Sequence, residues 1–426
     1  MSNKFDRRQF LGTTAVTTAG LTVAGKLAQA STAANRKVVV GVMWAQRGRS
    51  LANTFSKTKD VVVKYICDVD EQRANNGANF LNKSEGNKTI PIFDFQKILD
   101  DKEVDALVCA APNHWHGPAT ILGCSAGKHV YVEKPCSHNP AEGEMMIAAA
   151  RKNKRCVQMG TQRRSAPAHI EAIQKIRDGV IGRVYSARSF YSASRGPIGT
   201  GKPAEVPKNL NYDLWQGPAP RKPYIDNLVH YNWHWRWHWG NGELGNNGVH
   251  SLDLCRWGLG VEYPERVVSS GDRYRFDDDQ ETPDTHVVAF EFGDIGQITW
   301  QALSCNRHHF PFAIFFGEKG TLEMTNAGYI IYDHRDKKIG EGNGSQGQPE
   351  HIQNFVDAIR SDDPTSLNQE IESGHKSTLL CHLGNIAQRT GKTITCDPKN
   401  GHILDNPEAM EKYWKREYEK GWEPKV

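Results

Sequence analysis

Two short stretches place titratable side chains at the ends of apolar runs, where chemistry is easiest to build. One run, Ala106–Ala111, stops at Pro112-Asn113-His114-Trp115-His116, and the next stops at Glu133-Lys134-Pro135. If both runs are parallel strands, these residues stand at carboxyl ends, where open sheets form their ligand crevice. The Lys134–Pro135 bond restricts the backbone of the lysine and so pins its amine. Beside a second positive charge that amine would lose affinity for its proton and could exchange one with a reacting hydroxyl. The plainer reading is an ordinary lysine at a strand end. Pro112, Asn113, His116, Glu133 and Lys134 are the candidates for contact with a bound cofactor.

A weaker signal precedes them. Nucleotide binders put glycines after the first strand so that backbone amides and a helix N-terminus can approach a pyrophosphate. Here that turn reads Val42-Met43-Trp44-Ala45-Gln46-Arg47-Gly48-Arg49-Ser50. Aligned to G-x-G-x-x-G, the glycine positions fall on Met43, Ala45 and Gly48, with Arg49 following, so one glycine survives. Asp68 closes the second apolar run about 20 residues beyond Gly48, where an acid accepts from adenosine ribose hydroxyls and disfavours a 2′-phosphate. An aspartate there also serves as an ordinary turn residue.

The third feature is His230-Tyr231-Asn232-Trp233-His234-Trp235-Arg236-Trp237-His238-Trp239. Alternation with period two would put indoles on one side of an extended chain and polar groups on the other. Three readings compete: the wall of a sugar site through Trp233 and Trp235, a buried domain or subunit contact, and a histidine metal site. The last is the poorest, because His230, His234 and His238 need a helix and have no carboxylate companion.

These residues need a scaffold, and the chain supplies one. Strand-like runs at 37–43, 61–70, 90–93, 104–111, 128–132 and 155–159 alternate with helical patterns from about Ser50, at 71–81, 116–127 and 141–153. Such βαβα alternation implies a doubly wound parallel sheet, a dinucleotide-binding Rossmann domain over residues 36–158. Beyond it come a helix at 169–178, a strand at 184–191 and a Pro-, Gly- and Trp-rich loop at 195–240. Strand-like runs follow at 265–269, 286–292, 296–302, 313–317 and 320–324, then a Gly-rich turn or loop at 340–348. Helices near 350–361 and 369–390 complete a substrate-binding α+β domain, 159–400, with a large, mostly antiparallel open sheet. Residues 401–426 read as a helical tail, with the helix at 408–418.

Residues 1–30 are set apart as a targeting segment. Arg7-Arg8 precedes Phe10-Leu11, a mild apolar stretch, Lys26 and Ala28-Gln29-Ala30, the pattern of a twin-arginine signal for export to the periplasm. An ordinary secretory signal or an unstructured tail is the alternative. Apolar residues make up 38% of the 426, charged residues 24%, and the net charge of +4 is scattered. Neither nucleic-acid binding nor a membrane span after the signal is supported. The nine cysteines show no Cys-x-x-Cys, and Cys67 and Cys109 lie in apolar runs, which suits folding in a reducing compartment before export.

The stretches Cys67-Asp68-Val69-Asp70, Pro112–His116, Glu133-Lys134-Pro135, Gly160-Thr161-Gln162-Arg163-Arg164 and Gly242–Trp257 together resemble the Gfo/Idh/MocA oxidoreductases over essentially residues 36–400. The resemblance implies Lys134 as the catalytic lysine and His250 as the proton acceptor. Asn246 falls where the family's motif has an acid; it can bond a hydroxyl but carries no charge. Asp253 and Trp257 read as structural, and Arg163 joins Trp233, Trp235 and His250 on the substrate side. The implied cofactor is NAD, with NADP possible, the implied substrate a carbohydrate or cyclitol, and the implied assembly a homo-oligomer. No metal is expected. Outside the cytosol no nicotinamide pool exists, so an exported member needs a tightly held cofactor. A glycoside-cleaving or epimerising enzyme that oxidises its sugar transiently is one alternative. A carbohydrate-binding protein that has lost the cofactor is the other.

Overall fold

The computed structural model describes residues 37–85 and 88–426. The expected targeting segment, 1–30, lies outside the described residues.

β1 (Val38–Met43), β2 (Val61–Cys67), β3 (Ile90–Ile92), β4 (Ala106–Cys109), β5 (His129–Val132) and β6 (Val157–Met159) form one sheet. Its order is β3-β2-β1-β4-β5-β6, and every adjacent pair is parallel. β4 and β5 are buried at every position, as strands covered by helices on both faces must be. The chain leaves β1 toward β2 and returns on the other side as β4. The strand order therefore reverses between β1 and β4, which opens a crevice beyond their carboxyl ends.

A second sheet holds β7 (Val184–Ser192), β8 (Arg266–Asp272), β9 (Thr285–Phe292), β10 (Gly296–Leu303), β11 (Ala313–Gly317), β12 (Gly320–Met324), β13 (Gly328–Asp333), β14 (Lys338–Asn343) and β15 (Ile394–Thr395). The order is β14-β13-β12-β11-β7-β10-β9-β8-β15, and β7–β10 is its one parallel pair. Burial alternates along β9 and β11, so one face meets the core and the other does not. Helices Val249–Leu259 and Ile371–Thr390 cover the inner face. Packing there is close: a Cβ added at Gly258 would lie 2.3 Å from the Phe315 ring. This is the expected α/β architecture.

Three expectations need correction. Residues 340–343 are not a loop but part of β14, paired with β13, a strand the sequence reading did not mark. The C-terminal helix covers only Pro407–Tyr413; the chain then runs back without helix across the first domain. The 195–240 loop carries short helices at Tyr212–Gln216 and Asn232–Trp235. All nine cysteines are unpaired, eight of them buried. No helix of the described residues is long and apolar enough to cross a membrane.

Candidate active site

The turn after β1 is built without its usual glycines. Trp44 takes a positive φ of 74° and donates its N–H to the Cys67 carbonyl at 2.7 Å. Its ring is buried beside Trp115, centroid to centroid 6.3 Å. Met43 and Ala45 are also buried, so they form the floor of the turn. Gly48 permits contact between helix and strand: a Cβ there would sit 2.9 Å from Val42 Cγ1. The Arg47–Lys57 helix begins with no side-chain cap and no acid in its first turn, which leaves N–H donors and a positive dipole end for an anion.

Asp68 is not the free ribose acceptor that the sequence suggests. It is fully buried, and its carboxylate accepts from Ala45 N–H at 2.8 Å and from Asp70 N–H at 3.0 Å. Burial raises its pKa to about 6. The acid braces the turn instead. Arg49 also departs from expectation, turning away to lie over the Phe80 ring at 5.5 Å.

Beyond the carboxyl ends of β1, β4 and β5 lies a cavity of about 390 Å³. Its lining includes Gln46, Arg47 and Ser50 from the turn after β1, Pro112, Asn113, Glu133 and Lys134 from the ends of β4 and β5, and Tyr231, Trp233, His234 and Asn246 from the second domain. His116, at its edge, bridges two backbone segments. Its ring nitrogens lie 2.6 Å from the Pro135 carbonyl and 2.7 Å from that of Ala111, which ties the β4 turn to the Lys134–Pro135 cis peptide. Arg47 donates to Glu133 Oε1 at 2.9 Å and to Gln348 Oε1 at 2.6 Å. Burial alone would raise the Glu133 carboxyl, but the charges of Arg47 and Lys134 hold it below the ordinary range.

Lys134 connects the two domains. Its Nζ donates to the Asn246 main-chain carbonyl at 2.6 Å and to Asn246 Oδ1 at 3.1 Å, across 112 residues of sequence. Asn246 sits in a π-turn, Leu244–Gly248, just before the Val249–Leu259 helix. Such widened turns recur at functional sites. Burial lowers the Lys134 pKa, offset in part by Glu133. His250 follows in the first turn of the helix, half-buried, with Nδ1 buried and unpartnered. Burial, then the charge of Lys134, push its pKa well down, so the ring is neutral.

The aromatic run is not extended. Residues Asn232–Trp235 form a 3₁₀ turn, and no cluster of metal-ligating residues occurs among the described residues. Trp233 reaches the cavity, stacked on His234 at 3.6 Å, whereas Trp235 is buried beneath Arg195 and does not line it. Arg163 is also elsewhere, over the Phe312 ring at 4.0 Å and bonded to Asn326. Asp253 is a core anchor. It accepts from Arg164 twice at 2.9 Å, from Gln369 at 2.7 Å and from Ser377 at 2.6 Å. Trp257 stacks on Arg164 at 4.7 Å.

Sequence reasoning did not mark Gln46, Arg47, Ser50, Tyr231 or His234 as cavity residues. It also missed the pair between half-buried Arg195 and buried Glu243, 2.6 Å, from which a further Arg195 nitrogen donates to the Tyr231 hydroxyl at 3.0 Å.

This arrangement has known counterparts. Residues 36–161 match the model of an oxidoreductase family's NAD-binding Rossmann fold, and residues 196–422 match that family's C-terminal alpha/beta domain. The chain belongs to the Gfo/Idh/MocA oxidoreductase family. Among curated members, an inositol 2-dehydrogenase of Salmonella paratyphi B is 29% identical over 164 residues, 38% of this chain and 46% of the relative. A glycosyl hydrolase family 109 protein of Saccharopolyspora erythraea is 26% identical over 213 residues, 45% of this chain and 46% of its own length. The chain thus spans just under half the length of these curated relatives. An aldose-aldose oxidoreductase from Caulobacter crescentus, solved with glycerol, superposes with TM-score 0.65 at 20% identity, covering 84% of this chain and all of that one. That likeness is one of fold.

Proposed function

We propose that this Gfo/Idh/MocA member is an exported oxidoreductase moving a hydride between a tightly held NAD, or NADP, and a hydroxyl-bearing carbon of a sugar, cyclitol or glycoside. The observation that carries the reading is the Lys134 amine, held by Asn246 in a cavity that an uncapped helix N-terminus also lines. The diphosphate and nicotinamide ends of a dinucleotide fit this lining: the Arg47–Lys57 amides and Arg47 suit the diphosphate, and Pro112, Asn113 and Glu133 would border the ring. When bound, the dinucleotide supplies the hydride acceptor or donor. His250, the proton acceptor that the resemblance implies, does not line this cavity, so Lys134, in its neutral form, takes the hydroxyl proton as the carbon is oxidised and returns it on reduction. The Asn246 amide orients that hydroxyl, His234 and Tyr231 bond its neighbours, and Trp233 offers an apolar edge to the ring. Export follows from the Arg7-Arg8 signal. Assembly through the outer face of the nine-stranded sheet, where Val268 and Val287 are exposed, belongs to the same reading.

Two other readings each have an observation behind them. Similarity to the glycosyl hydrolase family 109 protein favours redox-neutral glycoside cleavage with the same residues. Trp44 at the turn and the buried Asp68, already accepting from the Ala45 and Asp70 N–H groups, favour a sugar-binding protein without cofactor. One experiment separates them. The full chain is produced in a Gram-negative host, recovered from the exported fraction without added nucleotide and denatured, and the released nucleotide is identified by chromatography. Near-stoichiometric NAD(H) or NADP(H) is expected, with an oxidised sugar formed on incubation. A cleaved glycoside with unchanged cofactor selects the hydrolytic reading. No nucleotide, and none bound on titration, selects the binding protein, and recovery only from the cytosol removes export.

A further inference from the structure

A second cavity, of about 520 Å³, opens where the Pro140–Asn153 helix, the Trp237–Asn241 stretch, the Ile371–Thr390 helix and the C-terminal tail meet. It shares no lining residue with the first. The Glu133–Asn139 segment separates them, sending Glu133 and Lys134 into one and His138 and Asn139 into the other.

Its charge is one-sided. Five lining side chains are Lys or Arg and two are Glu. Of those two, Glu281 already accepts from Trp237 N–H at 2.7 Å. Arg389 lies between the Trp237 ring, 4.7 Å away, and the Tyr413 ring, 4.2 Å away. Arg416, half-buried, donates to His138 Nδ1 and to the Glu417 carbonyl, each at 3.3 Å. Among the described residues neither guanidinium has a carboxylate within the 4.0 Å of an ion pair. Stacking between two rings fixes a guanidinium plane without using its N–H donors. The planar fork that remains matches a carboxylate or phosphate through two parallel bonds. Arg389 is exposed and Arg416 half-buried, and the carboxylates that act on them, Glu281 and buried Glu142, do so from beyond ion-pair distance, so an incoming oxyanion would be their first direct charged partner. The nearby histidines add no charge: burial pushes His238 down to about 4 and His382 to about 3.

We infer that this pocket is a binding site for a small oxyanion, held through Arg389 and Arg416: a free phosphate or sulfate, or the carboxylate of an acidic sugar. The test is calorimetric titration of the full chain, at low ionic strength, with inorganic phosphate, inorganic sulfate and glucuronate. Arg389→Gln, Arg389→Lys and Arg47→Gln are run alongside, with circular dichroism to confirm folding. Binding should weaken about tenfold in Arg389→Gln, less in Arg389→Lys, and remain in Arg47→Gln. Tighter binding of glucuronate identifies a sugar acid, and tighter binding of phosphate or sulfate an inorganic ion. Heat that disappears in Arg47→Gln but survives Arg389→Gln would assign the anion to the helix N-terminus of the first cavity and overturn the inference. So would the absence of binding to the unmodified chain by all three probes.

Discussion

Lys134 is the residue on which activity turns, because its amine is both partly desolvated and aimed. Removing it in Lys134→Ala should lower kcat/KM by about 10²–10⁴-fold while the circular dichroism spectrum stays unchanged; retained turnover would take the lysine out of the reaction. The pH dependence has a definite sign. Burial lowers the Lys134 pKa below its ordinary 10.5, so the neutral, proton-accepting form becomes populated at lower pH than in a free lysine. Oxidation of the hydroxyl should therefore rise with pH and level off at a midpoint below 10.5, and carbonyl reduction should fall over the same range. Rates measured in both directions across pH check this. Lys134 was legible in sequence because Glu-Lys-Pro closes an apolar run. Its partner Asn246 and its neighbour His250 were not legible from local pattern; only the family resemblance pointed to them, since the contact spans 112 residues.

Among the elements, the β1 turn shows how one letter can be read for the wrong reason. Gly48 survives in the glycine pattern, but the space around it belongs to Val42 of β1 rather than to an approaching ligand. Gly48→Val should therefore act first on packing, costing about 1–3 kcal/mol as the Arg47–Lys57 helix is pushed off the sheet. Denaturant unfolding measures that loss, and weaker nucleotide binding should follow from the displaced helix end. Unchanged stability would show that the helix does not rest on β1 at this point. The parallel strands were legible because burial on both faces writes continuous apolar runs such as Val38–Met43. β14 was not: its half-buried positions are Gly340 and Gly342, which have no side chain, so the alternation in burial leaves no apolar alternation in the sequence. The Trp and His alternation likewise imitated a strand, whereas the chain turns through a 3₁₀ helix and buries Trp235 and Trp239. The choice there was made by packing against Arg195, His114 and Trp215, which local sequence does not encode.

At the scale of the whole molecule, the C-terminal tail works as a clasp. Trp422 sets its edge against buried Trp115 at 5.2 Å, and the Tyr418 hydroxyl donates to buried Glu142 at 3.0 Å. The Ala141 N–H donates to the Trp414 carbonyl, also at 3.0 Å. A chain ending at Lys415 should lose about 2–5 kcal/mol, because it strips an aromatic contact and leaves a buried carboxylate short of a donor. Thermal unfolding of the shortened chain tests this, and an unchanged Tm would make the tail an ornament. The order of the nine-stranded sheet has a different kind of consequence. β7 comes first in the chain yet lies at the centre, with Ser186 paired to both Gln297 and Phe316. Tyr231, Trp233, Asn246 and His250 all belong to the stretch threaded between β7 and those later partners. Their placement must wait for loops of over a hundred residues to close, the slowest sort of step in folding. A nascent chain released early would carry the Rossmann half without a reactive cavity, so competence for chemistry arrives only when the sheet closes around its own first strand.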